Sequence, residues 1–485
     1  MTRTILPRSS RFPILPWRKF SSLTGPRSAA RAISTATRDP RTKMRTWELD
    51  EQHLSKIRVN PTRLIDELHY TCQWGTGQRW GKADSETGMS RLALSDADKL
   101  ARDWFVDTTK SLGCKISVDA MGNTFAIRPG REDGPPTCAG SHLDTQPSGG
   151  RYDGILGILA GVEMLKVLSE NRVETAFPVG VVNWTNEEGA RFPISMVSSG
   201  VWAGEIPLDR AHGLKEVGGG SHTMKSELER IGYLGSLPAS YEAMPLAAHF
   251  ELHIEQGPIL ETEKQKIGIV KGVQAYRWYT VEVDGQEAHT GTTPFNSRAD
   301  ALLAAARMIC TSHTAAADHG ALASTGILTL SPGSVNTIPG KVTFSLDIRA
   351  PTDHILDKLE EHLKSDFDFI VSTESTHGLG LAVSWQTDSV SPAIHFHDDC
   401  ISTVRASANA ILGDDKLSRE MVSGAGHDSV YASRRCPTSM IFVPSRNGIS
   451  HNPKEYTSPE DCAIGADVLL QSVLRYDRLR FARKV

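Results

Sequence analysis

Apolar positions recur at helical spacing through the first part of the chain. Leu64, Leu68 and Cys72 share one helical face, as do Leu100, Trp104 and Thr108, so the stretch from about Trp47 to Arg128 is predicted to be mostly helical. Short extended pieces close it at 115–118 and 124–127. Strands and helices then alternate: a strand end at 137–140, an apolar helix over 155–169 and a Val-rich strand over 177–184. Strands separated by helices predict a mainly parallel sheet with both faces covered. Ligands of such sheets sit beyond the carboxyl ends of the strands.

The texture changes near Lys271. Residues 276–284 alternate like a strand, Pro294 opens a helix with a small apolar face over 299–309, and 326–330 and 341–349 predict two strands around a Pro/Gly-rich turn. In the latter, Val342, Phe344, Leu346 and Ile348 face one way and Thr343, Ser345, Asp347 and Arg349 the other. A helix over 352–364 completes a compact α+β unit, and text of the first kind resumes after about Ser391. The expected fold is therefore α/β: a mixed, mainly parallel sheet flanked by helices, formed by 45–270 and 391–485, with an α+β unit over 271–390 inserted in it.

Composition changes this picture only at the start. A chain of 485 residues is long for one core, and 39% apolar with 23% charged residues is ordinary for a globular protein. No apolar run reaches the ~18 residues of a membrane span. The longest candidate, 155–168, is broken by Gly157, Gly161, Glu163 and Lys166. The seven cysteines are scattered with no CxxC pair, which argues against a disulfide framework or a thiolate zinc site. Residues 1–38 hold eight arginines and lysines, many Ser and Thr and no acid before Asp39. That is the composition of a mitochondrial transit peptide. A disordered basic extension over 1–40, or a true start at Met44 in the cytoplasm, is the alternative. Removing those eight cations takes the formal charge from −4 to −12, so the body offers no footprint for nucleic acid or an anionic membrane.

Chemistry concentrates in four strings. His142, Asp144 and Asp153 lie in SHLDTQPSGGRYDG, Glu187 and Glu188 in NWTNEEGARF, His253 in ELHIEQGPILE, and His451 in NGISHNPKEY. Mixed imidazole and carboxylate donors suit a borderline metal such as zinc. Two ions ~3.5–4 Å apart are readily bridged by one carboxylate. Asp153, in a Gly-rich turn, is the expected bridge. Asp144, two residues beyond His142, is expected behind it, holding the imidazole in its ligating tautomer. Of the Glu187–Glu188 pair, one can bind metal while the other takes a proton from the attacking water.

Together these strings resemble the zinc-dependent N-carbamoyl-amino-acid amidohydrolases, which include fungal-type β-ureidopropionases, L-carbamoylases and allantoate amidohydrolases, within the aminoacylase and carboxypeptidase clan. The likeness runs from about Trp47 to the C-terminus. It implies two divalent ions, zinc first and manganese, cobalt or nickel as alternatives. One would be held by His142, Asp153 and His253, the other by Asp153, Glu188 and His451, with Glu187 as general base. It also implies that Gln256, His289, Asn336 and Arg349 bind the substrate: Arg349 grips its carboxylate, and His289 and Asn336 stabilise the oxyanion. A surface ion pair with Asp347 is the competing role for Arg349. GAGHD, 424–428, belongs to the likeness too, with no role for His427 beyond shaping the site floor. The inserted unit would act as lid and dimerisation domain of a homodimer. N-carbamoyl-β-alanine, a substrate of pyrimidine catabolism, is the first expectation, followed by N-carbamoyl-L-α-amino acids and allantoate. An aminoacylase or dipeptidase activity, or a binding protein without catalysis, is the more distant reading.

Overall fold

The computed structural model describes residues 43–374 and 380–484. The basic segment 1–38, with the import expectation it carries, lies outside them. Among the described residues the largest sheet has nine strands. Its order runs Ile394–His395, Ile267–Val273, Thr438–Val443, Ala248–Ile254, Thr137–His142, Val179–Trp184, Thr124–Arg128, Lys115–Val118, and Ser418–Ser423 adds to Ile267–Val273. The four central strands, from Thr438–Val443 to Val179–Trp184, are mutually parallel, and every residue in them is buried. Such strands need helices on both faces. Ala139, Val181 and Phe250 join the core shared with helices Ile155–Glu170, Asp398–Leu412 and Pro459–Lys484. The alternate residues Cys138, Val182 and Trp184 pack on Trp202 and Ala432. The expected mainly parallel, helix-flanked sheet is the observed one.

Strand Ala248–Ile254 positions much of the site. Phe250, Leu252 and Ile254 point into the main core, while His249, Glu251 and His253 fall on the opposite face by the strand's two-residue period. The chain leaves this sheet at Val273 and returns at Ile394. Between them a five-stranded antiparallel sheet forms from Ala275–Asp284, Leu322–Ser324, Leu328–Ser331, Lys341–Ala350 and Ala382–Ser391. Val342, Phe344, Leu346 and Ile348 face helices Ala301–Asp318 and Asp353–Glu374 in a core of their own, as their alternation predicts.

Two local expectations differ from the structure. Helix Asp96–Ser111 does not bury Leu100, which is 47% exposed, but Ala101, Phe105 and Thr109 together with Asp98 and Arg102. Both faces satisfy a spacing of four. The inward one is set by a buried ion pair, Arg102 Nε to Asp98 Oδ2 at 2.8 Å, whose guanidinium also donates to the Gly122 carbonyl. The helix expected from Pro294 begins only at Ala301, because the Asp300 carboxylate accepts from the amides of Leu302 and Leu303 and caps it there.

Candidate active site

The loops that follow the parallel strands bring five expected ligands together. His142 ends its strand, Glu187 and Glu188 follow Val179–Trp184, His253 is the last residue but one of its strand, and His451 lies in the loop beyond Thr438–Val443. Asp153 sits at their centre. Its Oδ1 lies 3.5 Å from His142 Nε2 and 3.0 Å from His253 Nε2; its Oδ2 lies 3.5 Å from His451 Nε2. Glu188 Oε2 approaches the same His451 nitrogen at 3.4 Å. Two donor groups with Asp153 in common result, His142–Asp153–His253 and Asp153–Glu188–His451.

The imidazoles are set for ligation. His142 Nδ1 lies 2.9 Å from the Asp144 carbonyl and His253 Nδ1 2.9 Å from the Ile254 carbonyl, which makes each Nδ1 the N–H and leaves Nε2 a lone pair. Both Nε2 atoms are buried and have no hydrogen-bond partner. Orphaned buried nitrogens aimed at one carboxylate fit a metal ion better than any protein group present. The acids give the same message. Burial first, and then Asp428, Glu188 and Asp153, raise the Glu187 carboxyl well above its usual range, against the pull of His142. Burial and Asp153 push Glu188 up to about 7. Asp153 itself, despite burial, is held well below its usual value by His253, His142 and His451. Crowded acids of this kind are what added cations would relieve.

Asp144 corrects one expectation. Its carboxylate does not touch the His142 ring. The chain turns after His142, so the backbone carbonyl of Asp144 meets the imidazole, and the carboxylate oxygens accept from the Glu187 and Glu188 amides, each at 3.3 Å. Burial raises its pKa. Asp144 thus ties the histidine loop to the glutamate loop.

Gln256 lines the same cavity, but its amide nitrogen donates to Asp153 Oδ2 at 2.7 Å and to Ser450 Oγ at 3.0 Å. Arg349 lines it too. The ion pair with Asp347 is real, since Nε and Nη2 reach that carboxylate at 2.8–3.1 Å, while Nη1 donates to the Gly424 carbonyl. The pair occupies the Nε/Nη2 side of the planar guanidinium and leaves the edge between Nη1 and Nη2 for a second carboxylate. His289 and Asn336 are exposed and do not line the cavity. They are neighbours of each other, because Ala288–His289 pairs with Thr337–Ile338 and the Thr290 amide donates to the Asn336 carbonyl.

Residues missed by motif spacing complete the site. Glu455, fully buried and pushed by burial to about 8, accepts from the Tyr152 and Asp153 amides and from Ser450 Oγ. Gln146 donates to Glu188 Oε2 at 2.7 Å. Both lie inside the quoted strings, where position relative to a ligand was their only signal. His427 packs its ring edge on His253 at 4.5 Å between centroids and contacts Ser423 Oγ. Met196, Gln256 and His451, all in the cavity's lining, hold positive φ.

The profile of peptidase family M20/M25/M40 matches residues 138–475, which spans every donor named above. The chain belongs to this family. The N-carbamoyl-L-amino-acid amidohydrolase of Rhizobium meliloti is 40% identical over 420 residues, covering 86% of this chain and 96% of that protein. The allantoate amidohydrolase of Bacillus subtilis is 31% identical over 412 residues, 84% of this chain and 95% of that one. Among solved structures, a hydantoinase/carbamoylase family amidase from Burkholderia multivorans superposes with a TM-score of 0.79 at 41% identity, covering 87% and 99%. As an M20 member with amidohydrolase relatives, the chain is a hydrolase of carbon–nitrogen bonds other than peptide bonds. Among its described residues no helix is long and apolar enough to cross a membrane.

Proposed function

We propose that the protein hydrolyses the ureido bond of N-carbamoyl-L-α-amino acids with the help of two divalent cations, zinc in the first instance. The observation that carries this is the single cavity whose lining holds Asp153, Glu188, His253 and His451 together with the Arg349 guanidinium. His142, His253 and Asp153 would hold one ion, and Asp153, Glu188 and His451 the other. Such ions supply Lewis-acid polarisation and lower the pKa of water. The remaining work belongs to the chain. Arg349 takes the substrate carboxylate on its free edge. Glu187, 3.6 Å from His142 Nε2, accepts the proton of the attacking water. A C–O bond forms at the ureido carbon, the C–N bond breaks as Glu187 returns the proton to nitrogen, and the carbamic acid decomposes to carbon dioxide and ammonia.

The names of the reported relatives favour the L-α series. None of them carries N-carbamoyl-β-alanine, nor the place in pyrimidine catabolism that goes with it. His289 and Asn336 reach the substrate when a second chain presents them, in a homodimer built through the five-stranded sheet. Exposed Phe295 and Val335 stand beside the pair in sequence, and strand Leu328–Ser331 is exposed along its whole length.

Ammonia release from N-carbamoyl-L-leucine, N-carbamoyl-β-alanine and allantoate, with zinc- or manganese-loaded protein, tests the proposal. Turnover of the leucine derivative is expected, with kcat lowered ~10²–10⁴-fold in Glu187→Gln. Turnover of acyl-amino acids or dipeptides alone would end the carbamoyl assignment.

A further inference from the structure

The cavity has a volume of about 320 Å³, at the small end of the ~300–1,000 Å³ usual for ligand sites. Its donors occupy the loops of the large sheet. Its other wall is the five-stranded sheet, where strand Ala275–Asp284 pairs antiparallel with Lys341–Ala350. The register sets Tyr276 opposite Arg349 and Trp278 opposite Asp347. Residues opposite each other, and residues two apart on one strand, share a face. Four side chains therefore form one patch: a carboxylate, the arginine it fixes and two aromatic rings. The Arg349 guanidinium lies over the Tyr276 ring at 5.5 Å, and the Tyr276 and Trp278 rings are 5.2 Å apart and inclined at 33°. Met196, from the glutamate loop, lines the same cavity.

Trp278 is the unexpected member. It is 43% exposed, although its neighbours on the strand, Tyr279, Val281 and Val283, supply the core behind the sheet. The strand on its other side, Ala382–Ser391, carries an extra residue, Asp388, where the register slips between Trp278 and Tyr279. Such bulges increase twist and re-aim side chains beside binding sites. The strand's two-residue period turns the indole away from that core and into the cavity's lining.

We propose that Trp278 and Tyr276 are the specificity wall for the substrate's α-substituent, so that the enzyme selects N-carbamoyl-L-α-amino acids with large aromatic or aliphatic side chains; this deepens the carbamoyl reading above and rests on it. In an α-amino acid the carboxylate and the side chain share one carbon. A carboxylate seated on Arg349 brings the substituent against the rings that flank that arginine on the same rigid ribbon. N-carbamoylglycine and N-carbamoyl-β-alanine have nothing to place there and leave the indole in water. Burial of apolar surface and ring stacking then reward the bulky substrates alone.

The test is kcat/KM for N-carbamoyl derivatives of L-tryptophan, L-phenylalanine, L-leucine, glycine and β-alanine, measured on the metal-loaded full chain, in wild type, Trp278→Ala and Trp278→Phe. The phenylalanine-to-glycine ratio is expected to exceed about tenfold in wild type and to fall by about tenfold in Trp278→Ala. Trp278→Phe, which keeps a flat ring, is expected to hold the ratio within about threefold of wild type. A wild-type ratio near one, or a ratio unchanged in Trp278→Ala, overturns the wall while leaving the carbamoyl chemistry standing. Turnover of none of the five compounds overturns both.

Discussion

Beneath the ligands, single residues make a polar relay that is buried throughout. The Trp184 indole N–H donates to His249 Nε2, His249 Nδ1 meets Ser429 Oγ, and that hydroxyl donates to Glu251 Oε2 at 2.7 Å. The relay needs a neutral imidazole. Burial lowers the His249 pKa from 6.5 to about 3. Between those values the unfolded chain binds a proton that the folded one refuses, so stability is full above pH 6.5 and falls as pH drops towards 3. By pH 5 the loss amounts to about 2 kcal/mol from this one group. In chelator-treated protein, His249→Gln is expected to flatten that part of the curve of thermal midpoint against pH. An unchanged slope would remove His249 from the account. The candidate donors beside this relay could be singled out in sequence because they fall in four short strings of mixed His, Asp and Glu. Glu455 and Gln146 could not, since a glutamate or glutamine that grips a backbone amide or another carboxylate carries no spacing signature. Asp144 was legible as a participant but not in its direction, which depends on a turn that no periodicity records.

Elements place these residues through the ends of four parallel strands, and the segment after Thr137–His142 makes a close approach to its own histidine. Gly154 has φ +65°, and a Cβ there would meet the His142 ring at 2.3 Å. Gly320 has nearly the same φ, +64°, with nothing within 4 Å. The pair separates backbone strain from site geometry. Gly320→Ala is expected to cost about 1 kcal/mol of stability with metal content intact. Gly154→Ala adds a collision with a ligand, so bound metal measured by mass spectrometry is expected to fall as well. Full occupancy in Gly154→Ala would show that the ring can give way. Elements with a plain period were the legible ones: the strand over 341–349 and the helix over 155–169 stand close to where their patterns put them. Helix Asp96–Ser111 was legible as a helix but not in its orientation, because its inward face carries the Asp98–Arg102 pair beside Ala101 and Phe105 while Leu100 faces out. Strand Ala248–Ile254 alternates cleanly, yet its polar positions are as buried as its apolar ones.

At the scale of the molecule, one cavity takes its lining from the loops of the large sheet and from the five-stranded sheet, and Arg349 ties the two through its bond to the Gly424 carbonyl. The proposed dimer makes a sharp prediction here. Chains carrying Glu187→Gln and chains carrying His289→Ala are each expected to be nearly inactive. Mixed and reassembled, they are expected to recover about a quarter of wild-type activity, because half the dimers are hybrids with one complete site each. No recovery, with dimers verified by native mass, would mean that His289 serves its own chain or none. This level was the least legible in sequence, because His289 and Asn336 do not line the cavity of their own chain, and the dimer that would bring them to it is a proposal about assembly that no periodicity records.

The sheet order also has a consequence for how the protein is made. Strand Thr438–Val443 lies in the interior of the sheet, between Ile267–Val273 and Ala248–Ile254, and helix Pro459–Lys484 packs beside it. During synthesis that slot stays vacant from Val273 until Thr438–Val443 has followed, and over that stretch a nascent chain carries two unpaired strand edges. His451 emerges in the same late segment. The second donor group, Asp153–Glu188–His451, therefore cannot close until the segment beyond that strand has been made.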